Sequence, residues 1–96
     1  MLDEDLSMSL SALGQPVRLR LYRLLIDAGA DGRGPLALAG PAGILRNLVS
    51  YHLQPLVAAG LVTVEKRGRE MIYRADPLAL NRLAAAILTL SSPARG

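Results

Sequence analysis

The stretch RNLVSYHLQPLVAAGLV, residues 46–62, contains the only histidine of the 96-residue chain, His52, beside Ser50 and Tyr51. Three interpretations are open for this histidine: a metal ligand, one half of a catalytic pair, or one residue of a helix with another task. Helical spacing argues against the catalytic pair, because side chains two positions apart on a helix diverge. Ser50 and His52 would then not meet as nucleophile and base.

A metal site at His52 would need further ligands, and the sequence holds no second histidine and no cysteine. Carboxylates could complete such a site only if folding brought them close to the imidazole. The simpler interpretation is a half-buried imidazole that hydrogen-bonds a neighbouring element. We therefore predict no metal, no cofactor and no enzymatic activity.

The helix that carries His52 has two different faces. At about 100° per residue, Val49, Leu53 and Leu56 fall within a narrow arc that predicts the buried face. Asn47, Tyr51 and Gln54 lie on the opposite side, and Ser50 flanks the buried arc. The exposed face thus carries amide, phenol and hydroxyl groups, which are weak nucleophiles but suit the reading of base edges in a DNA major groove. We expect four side chains to read bases: Asn47, Ser50, Tyr51 and Gln54.

The hairpin expected after this helix is basic. LVTVEKR and REMIYRA alternate as two strands that join near Gly68. A basic hairpin behind a polar-faced helix is the arrangement called a winged helix, although an exposed, charged tip is common in unrelated proteins. We expect four cations to contact phosphates: Arg46, Lys66, Arg67 and Arg69. Arg74 is a weaker candidate for the same contact.

Spacing and capping residues predict the remaining elements. Leucines at helical spacing predict a first helix that ends at Gly14, and Pro16 suits the start of a second. The glycine-rich residues 29–43 predict a loop with one helical turn at 35–39, because Pro41 should not continue it. The helix of His52 is expected at 47–59, with Asn47 as its N-cap. Asp76 and Pro77 predict the start of a last helix.

Composition sets the class of protein. The formal net charge is +3 with a pI near 10.0, and without the three acids at positions 3–5 it would be +3 plus 3, or +6. Ten of the eleven basic residues are arginine, which suits phosphate and guanine but also fits a GC-rich genome. The acidic N-terminus and the lack of a long apolar run predict a cytoplasmic protein without membrane contact.

Three blocks of sequence resemble the ArsR/SmtB-type winged helix-turn-helix repressors. ALGQPVRLRLYRLL, residues 12–25, is similar to the segment ALxxPxRLxILxLL of that family, and residues 50–61 match its SxHLxxLxxAGL signature. Arg67, Gly68, Arg69 and Tyr73 match its wing, and Asp76 the entry to its last helix. The resemblance covers about residues 12–77. It implies a dimeric bacterial repressor that binds an inverted repeat and leaves DNA when an effector binds.

The chain also departs from that family's pattern. It has no cysteine for the family's metal or metalloid sites, and its last helix offers only Asp76 and Asn81 toward the His and carboxylate site. The resemblance therefore implies DNA binding without metal sensing. Gly40 and Pro41 should shorten the third helix, and Pro55 should kink the recognition helix, where it removes the bond to the Tyr51 carbonyl.

We thus predict an α+β, mostly helical fold: one winged helix-turn-helix domain over 1–96, with about five helices and a two-stranded wing. Residues 1–14 and 77–91 should dimerise, 35–60 form the helix-turn-helix, 61–75 the wing and 92–96 a tail. A purely intramolecular core is the alternative to the dimer, and a protein–protein interaction module the alternative to a DNA-binding regulator. An effector ligand or partner protein stays open. The expected interface residues are Leu6, Leu10, Leu80, Leu83, Ile87 and Leu90.

Overall fold

A computed structural model describes residues 1–91 as α-helices followed by a hairpin and a last helix. The predicted tail at 92–96 lies outside the described residues. The elements of the described part are α1 (Asp3–Leu13), α2 (Pro16–Ala28), a 3-10 turn (Gly29–Asp31), α3 (Pro35–Ala42), α4 (Arg46–Ala58), β1 (Val62–Arg67), β2 (Glu70–Ala75) and α5 (Pro77–Thr89).

Polar side chains and prolines fix the starts of two helices as the sequence predicts. The Gln15 side chain accepts a hydrogen bond of 2.8 Å from the Arg18 backbone N–H, and Pro16 is the first residue of α2. The Asp76 carboxylate accepts one of 3.1 Å from the Leu78 N–H, and Pro77 opens α5. Both caps satisfy backbone donors that the helix itself leaves free.

The start of α4 differs from the prediction. The helix begins at Arg46, one residue earlier than expected, and Leu45 precedes it without a side-chain cap. Asn47 therefore lies inside the first turn and is not the N-cap, which leaves its amide exposed to solvent. Pro55 lies inside α4, and the helix continues past it to Ala58. A kink at Pro55 stays a prediction.

The expected shortening of α3 is wrong. The helix runs to Ala42 and includes Pro41, with Leu38, Ala39 and Ala42 buried. Because Pro41 lies in the last turn, it removes one backbone hydrogen bond near an end that is closed by other means. The Ile44 N–H donates to the Ala39 carbonyl at 3.1 Å, and Gly43 takes a left-handed conformation with φ of 72°.

The core lies among α2, α3 and α4 and extends to the hairpin and α5. The predicted inner arc of α4 is confirmed, since Val49, Leu53 and Leu56 are all fully buried. Burial of each such aliphatic side chain stabilises the fold by about 1.5–3 kcal/mol. Leu21 and Leu25 of α2 pack in the same core. None of the helices in residues 1–91 is long and apolar enough to cross a membrane.

The six predicted interface residues divide into three groups by their exposure. Leu6 and Leu83 are only 8% and 2% exposed and belong to the core of the single chain. Only this small exposed part of each side chain is available for contact with a second chain. Leu80 is half-buried against the same core. Leu10, Ile87 and Leu90 are exposed on α1 and at the end of α5, where a partner could cover them.

The glycine-rich segment after α2 does more than connect two helices. Arg33 forms a backbone bridge with Tyr73 of β2, with both N–H to carbonyl distances at 2.9 Å. Gly32 makes this approach possible, because its φ is 66° and a Cβ there would lie 2.5 Å from the Tyr73 carbonyl oxygen. The sequence indicated only a loop here, since one bridging residue leaves no alternating pattern.

We predict that Gly32→Ala destabilises the protein by at least about 2 kcal/mol, because the methyl group strains the backbone and collides with Tyr73. Gly40→Ala is the matched control: Gly40 lies in α3 with open space around its Cβ position, so alanine should be neutral or stabilise by up to about 1 kcal/mol. Urea unfolding of both variants measures the difference. Equal stability of the two would contradict the proposed backbone constraint.

Candidate nucleic-acid interface

One face of α4 presents polar side chains to solvent. Asn47, Ser50, Tyr51 and Gln54 are all exposed, and Tyr51 reaches 73%. Their spacing places Asn47, Tyr51 and Gln54 on the side of the helix opposite the buried arc, and Ser50 at the edge of that arc. Arg46, the first residue of α4, is exposed as well. The structure therefore brings the four expected base-reading residues together on one surface.

The wing places basic side chains at its tip. β1 pairs with β2 in an antiparallel register that sets Arg67 opposite Glu70 and leaves Gly68 and Arg69 as the turn. Gly68 has a φ of 63°, which suits the first position of a type II′ turn. Lys66, Arg67 and Arg69 are all exposed. Alternation along the strand puts Lys66 and Arg67 on opposite faces of the hairpin.

A carboxylate lies among these cations. Glu65 Oε1 accepts hydrogen bonds from Arg74 Nη1 at 2.7 Å and from Arg67 Nη2 at 3.2 Å. The hydrogen bond from Arg74, followed by the charge of Arg67, lowers the pKa of the Glu65 carboxyl from its ordinary value. Glu65 is thus ionised at neutral pH and offsets part of the positive charge of the wing. Lys66 makes no salt bridge within residues 1–91.

Three arginines hold elements of the fold together. Arg74 Nε donates to the Ala30 carbonyl at 2.8 Å, which leaves it poorly placed for a phosphate. Arg18 Nε donates to the Ala12 carbonyl at 2.7 Å, and Arg20 Nε to the Ala42 carbonyl at 3.2 Å. These carbonyls lie at the ends of helices, where a cation is favourable. The arginine excess in the composition is therefore partly structural.

Tyr73 connects the wing to the recognition helix. Its hydroxyl donates a hydrogen bond of 2.9 Å to Ser50 Oγ, and the residue is only 5% exposed. The sequence indicated Tyr73 only as a match to the wing of a family. The contact with Ser50 spans 23 positions, and no spacing rule reaches that far.

His52 is half-buried, as predicted, but its surroundings differ from the prediction. Nδ1 is buried and has no hydrogen-bond partner in the described residues, so the expected bond to a neighbouring element is not found at that atom. The imidazole meets the Tyr51 ring edge-on, with centroids 5.3 Å apart. Within residues 1–91, no three side chains of the types that bind metals come together.

One buried tyrosine also lacks a hydrogen-bond partner in the described residues. The hydroxyl of Tyr22 is buried without a hydrogen bond in the described residues. Burial, and then the charge of Asp76, raises the pKa of Tyr22 above its ordinary value. Tyr22 thus stays neutral and packs in the core.

A cleft of ≈ 620 Å³ lies between α1 and α5, beside the end of α4. Asp5 and Ser9 of α1 line it together with Arg82 and Thr89 of α5. It shares no lining residue with the polar face of α4 or with the wing. Any ligand in this cleft would therefore lie away from the candidate nucleic-acid surface.

A family model described as "Helix-turn-helix domain" matches residues 13–65. The "HTH-type transcriptional repressor SmtB" of Mycobacterium tuberculosis is 39% identical over 79 residues, which cover 82% of this chain and 54% of the relative. The chain thus spans about half the length of the curated relatives it matches.

Solved structures share the fold. A "Possible transcriptional regulator for arsenical resistance" is 34% identical with a TM-score of 0.75, covering 97% of this chain and 88% of the other. An "ArsR-like Transcriptional Regulator from Rhodococcus sp. RHA1" is 30% identical with a TM-score of 0.73, covering 91% and 77%. A homodimeric winged helix-turn-helix DNA-binding domain from Mycobacterium bovis is 24% identical with a TM-score of 0.73, covering 91% and 79%.

Proposed function

Because the chain belongs to the ArsR/SmtB family of winged helix-turn-helix transcriptional regulators, a family of DNA-binding proteins and not of enzymes, we propose that it represses transcription as a dimer bound to an inverted-repeat operator. One observation carries the proposal. The polar row of α4, formed by the exposed side chains of Asn47, Ser50, Tyr51 and Gln54, is followed directly in the chain by the basic wing. Such a regulator would act in the cytoplasm.

The polar row of α4 suits direct reading of bases in the major groove, which is wide enough to admit a helix. Asn47 and Gln54 can each form two hydrogen bonds with adenine, since an amide matches its N6 and N7 atoms. Ser50 and Tyr51 supply hydroxyl groups for single hydrogen bonds. The register of α4 in the groove decides which bases they meet.

The basic residues around this row suit phosphate contact. Arg46 lies in the first turn of α4, where the helix N-terminus adds positive potential. Lys66, Arg67 and Arg69 extend the charge along the wing. Phosphate contacts hold the protein on the duplex without reading sequence, and they make affinity depend steeply on salt.

Dimerisation would follow from the exposed apolar residues of α1 and α5. Leu10, Ile87 and Leu90 are large side chains in contact with solvent, and exposed apolar surface of this kind favours association. The homodimeric state of the Mycobacterium bovis domain supports the proposal. Two subunits related by a two-fold axis would place two copies of α4 on two half-sites.

The proposed regulator differs from the family's cysteine-based sensors. Its 96 residues contain no cysteine, so a thiolate site cannot be built from them. The alternatives for its effector are an organic ligand, an anion, a partner protein or none. Release from DNA would then depend on a contact other than metal ligation.

We predict that the protein selects a palindromic sequence from a randomised pool of DNA duplexes. Fluorescence anisotropy should then show tighter binding to the selected duplex than to a scrambled one. Four cations on each of two subunits correspond to a slope of about −7 for log affinity against log salt. Weak, equal binding to both duplexes with a flat salt response would contradict the proposal and favour a protein–protein interaction module.

We predict that Arg67→Ala weakens binding to all DNA sequences alike and flattens the salt slope by about one unit for each subunit bound. Glu65→Gln is the matched variant with the opposite expected effect. It removes the negative charge that holds Arg67, so it should strengthen binding to every sequence. Anisotropy titrations at several salt concentrations measure both variants. A change of sequence preference in Arg67→Ala would show that this arginine reads bases.

We predict that Ile87→Glu produces monomers and weakens operator binding by at least tenfold, on the order of 1.4 kcal/mol, since a buried charge opposes association. Ile26→Glu is the control, because Ile26 of α2 is 38% exposed, close to the 40% of Ile87, but lies outside α1 and α5. Sedimentation velocity gives the oligomeric state of each. A monomeric Ile26→Glu variant beside a dimeric Ile87→Glu variant would place the interface elsewhere.

A further inference from the structure

Tyr73 is held at both its backbone and its side chain. Its backbone N–H and carbonyl each bond to Arg33 at 2.9 Å, and it stands opposite Val64 in the wing ladder. Its ring is buried, and its hydroxyl donates to Ser50 Oγ at 2.9 Å. The backbone of Tyr73 is thus held by the segment before α3, and its hydroxyl by Ser50 of α4. The hydroxyl therefore has little freedom to move.

Ser50 receives this hydrogen bond on the face proposed to read bases. A serine hydroxyl has one proton to donate and lone pairs that accept. Here Ser50 Oγ accepts from Tyr73, and within residues 1–91 it donates to no other group. Its proton is therefore left for a partner in the solvent or in the groove. Accepting one hydrogen bond also makes a hydroxyl a better donor.

We propose that Tyr73 determines specificity at one base by fixing Ser50 as a hydrogen-bond donor toward DNA. This inference rests on the proposed function. A donor facing the groove requires an acceptor on the base: N7 or O6 of guanine, N7 of adenine or O4 of thymine. Cytosine presents its N4 amino donor at that edge and is disfavoured, because Tyr73 already occupies one of the two lone pairs of Ser50 Oγ. Without Tyr73, both lone pairs of Ser50 Oγ are available, and the hydroxyl accepts from cytosine more readily.

The alternative role of Tyr73 is purely structural, since it joins the wing to α4. The two roles differ in what they change. Loss of a structural joint weakens binding to every sequence, because it alters how the wing and helix fit the duplex together. Loss of the hydrogen bond from Tyr73 to Ser50 changes the discrimination between bases at one position. That effect occurs only when Ser50 is present.

The test is a double-mutant cycle of Tyr73→Phe and Ser50→Ala on the operator selected by the wild-type protein. Anisotropy is measured on a panel of duplexes in which each base pair is replaced in turn. We expect Tyr73→Phe to reduce discrimination against cytosine by about tenfold at one position in each half-site, with an unchanged salt slope. In the Ser50→Ala background, the same change should have no further effect on discrimination.

Tyr22→Phe is the matched control, because it removes a buried tyrosine hydroxyl that has no hydrogen-bond partner in the described residues. It should leave discrimination unchanged at every position. Urea unfolding of each variant confirms that it folds, and the exposed Ser50→Ala change tests the same hydrogen bond from its other end.

Two results would overturn the inference while leaving the proposed function intact. One is an unchanged base preference in Tyr73→Phe beside clear operator selection by the wild-type protein. The other is an equal effect of Tyr73→Phe with and without Ser50, which would make Tyr73 a structural joint alone. Absence of any sequence preference in the wild-type protein would instead overturn the proposed function and this inference together.

Discussion

Complete burial of one face of α4 is the constraint on which the rest of the structure depends. Val49, Leu53 and Leu56 have no exposed surface, and they fix the rotation of the helix about its own axis. With that rotation fixed, the helical period alone turns Asn47, Tyr51 and Gln54 outward. The surface that could meet DNA is thus set by apolar packing on the reverse side of the same helix.

The wing depends on a second constraint, which is its attachment at the base. A two-stranded hairpin is only marginally stable by itself in water. Here the bridge between Arg33 and Tyr73 adds a short pairing to the outer edge of β2, and Gly32 permits the close approach. The hydroxyl of Tyr73 then ties the same strand to α4 through Ser50. The wing and the recognition helix therefore form one connected surface.

Charge in this small domain has two separate tasks. Arg18, Arg20 and Arg74 donate to backbone carbonyls and join neighbouring elements, so their guanidinium groups are less free to contact a partner directly. Glu65 further reduces the charge of the wing by binding Arg67. The cations that can contact a nucleic acid directly are thus fewer than a count of arginines indicates, and on the proposed surface they include Arg46, Lys66 and Arg69.

The sequence by itself determined what short-range rules govern: the inner arc of α4, the starts of α2 and α5 at Pro16 and Asp76, the turn at Gly68, and a family resemblance spread over three blocks. Only the tertiary structure decided the extent of α3 through Pro41 and the burial of Leu6 and Leu83. It also decided the partners of Ser50 and Glu65. Periodicity and capping act over a turn or two of chain, whereas these outcomes depend on groups that packing brings together from distant positions.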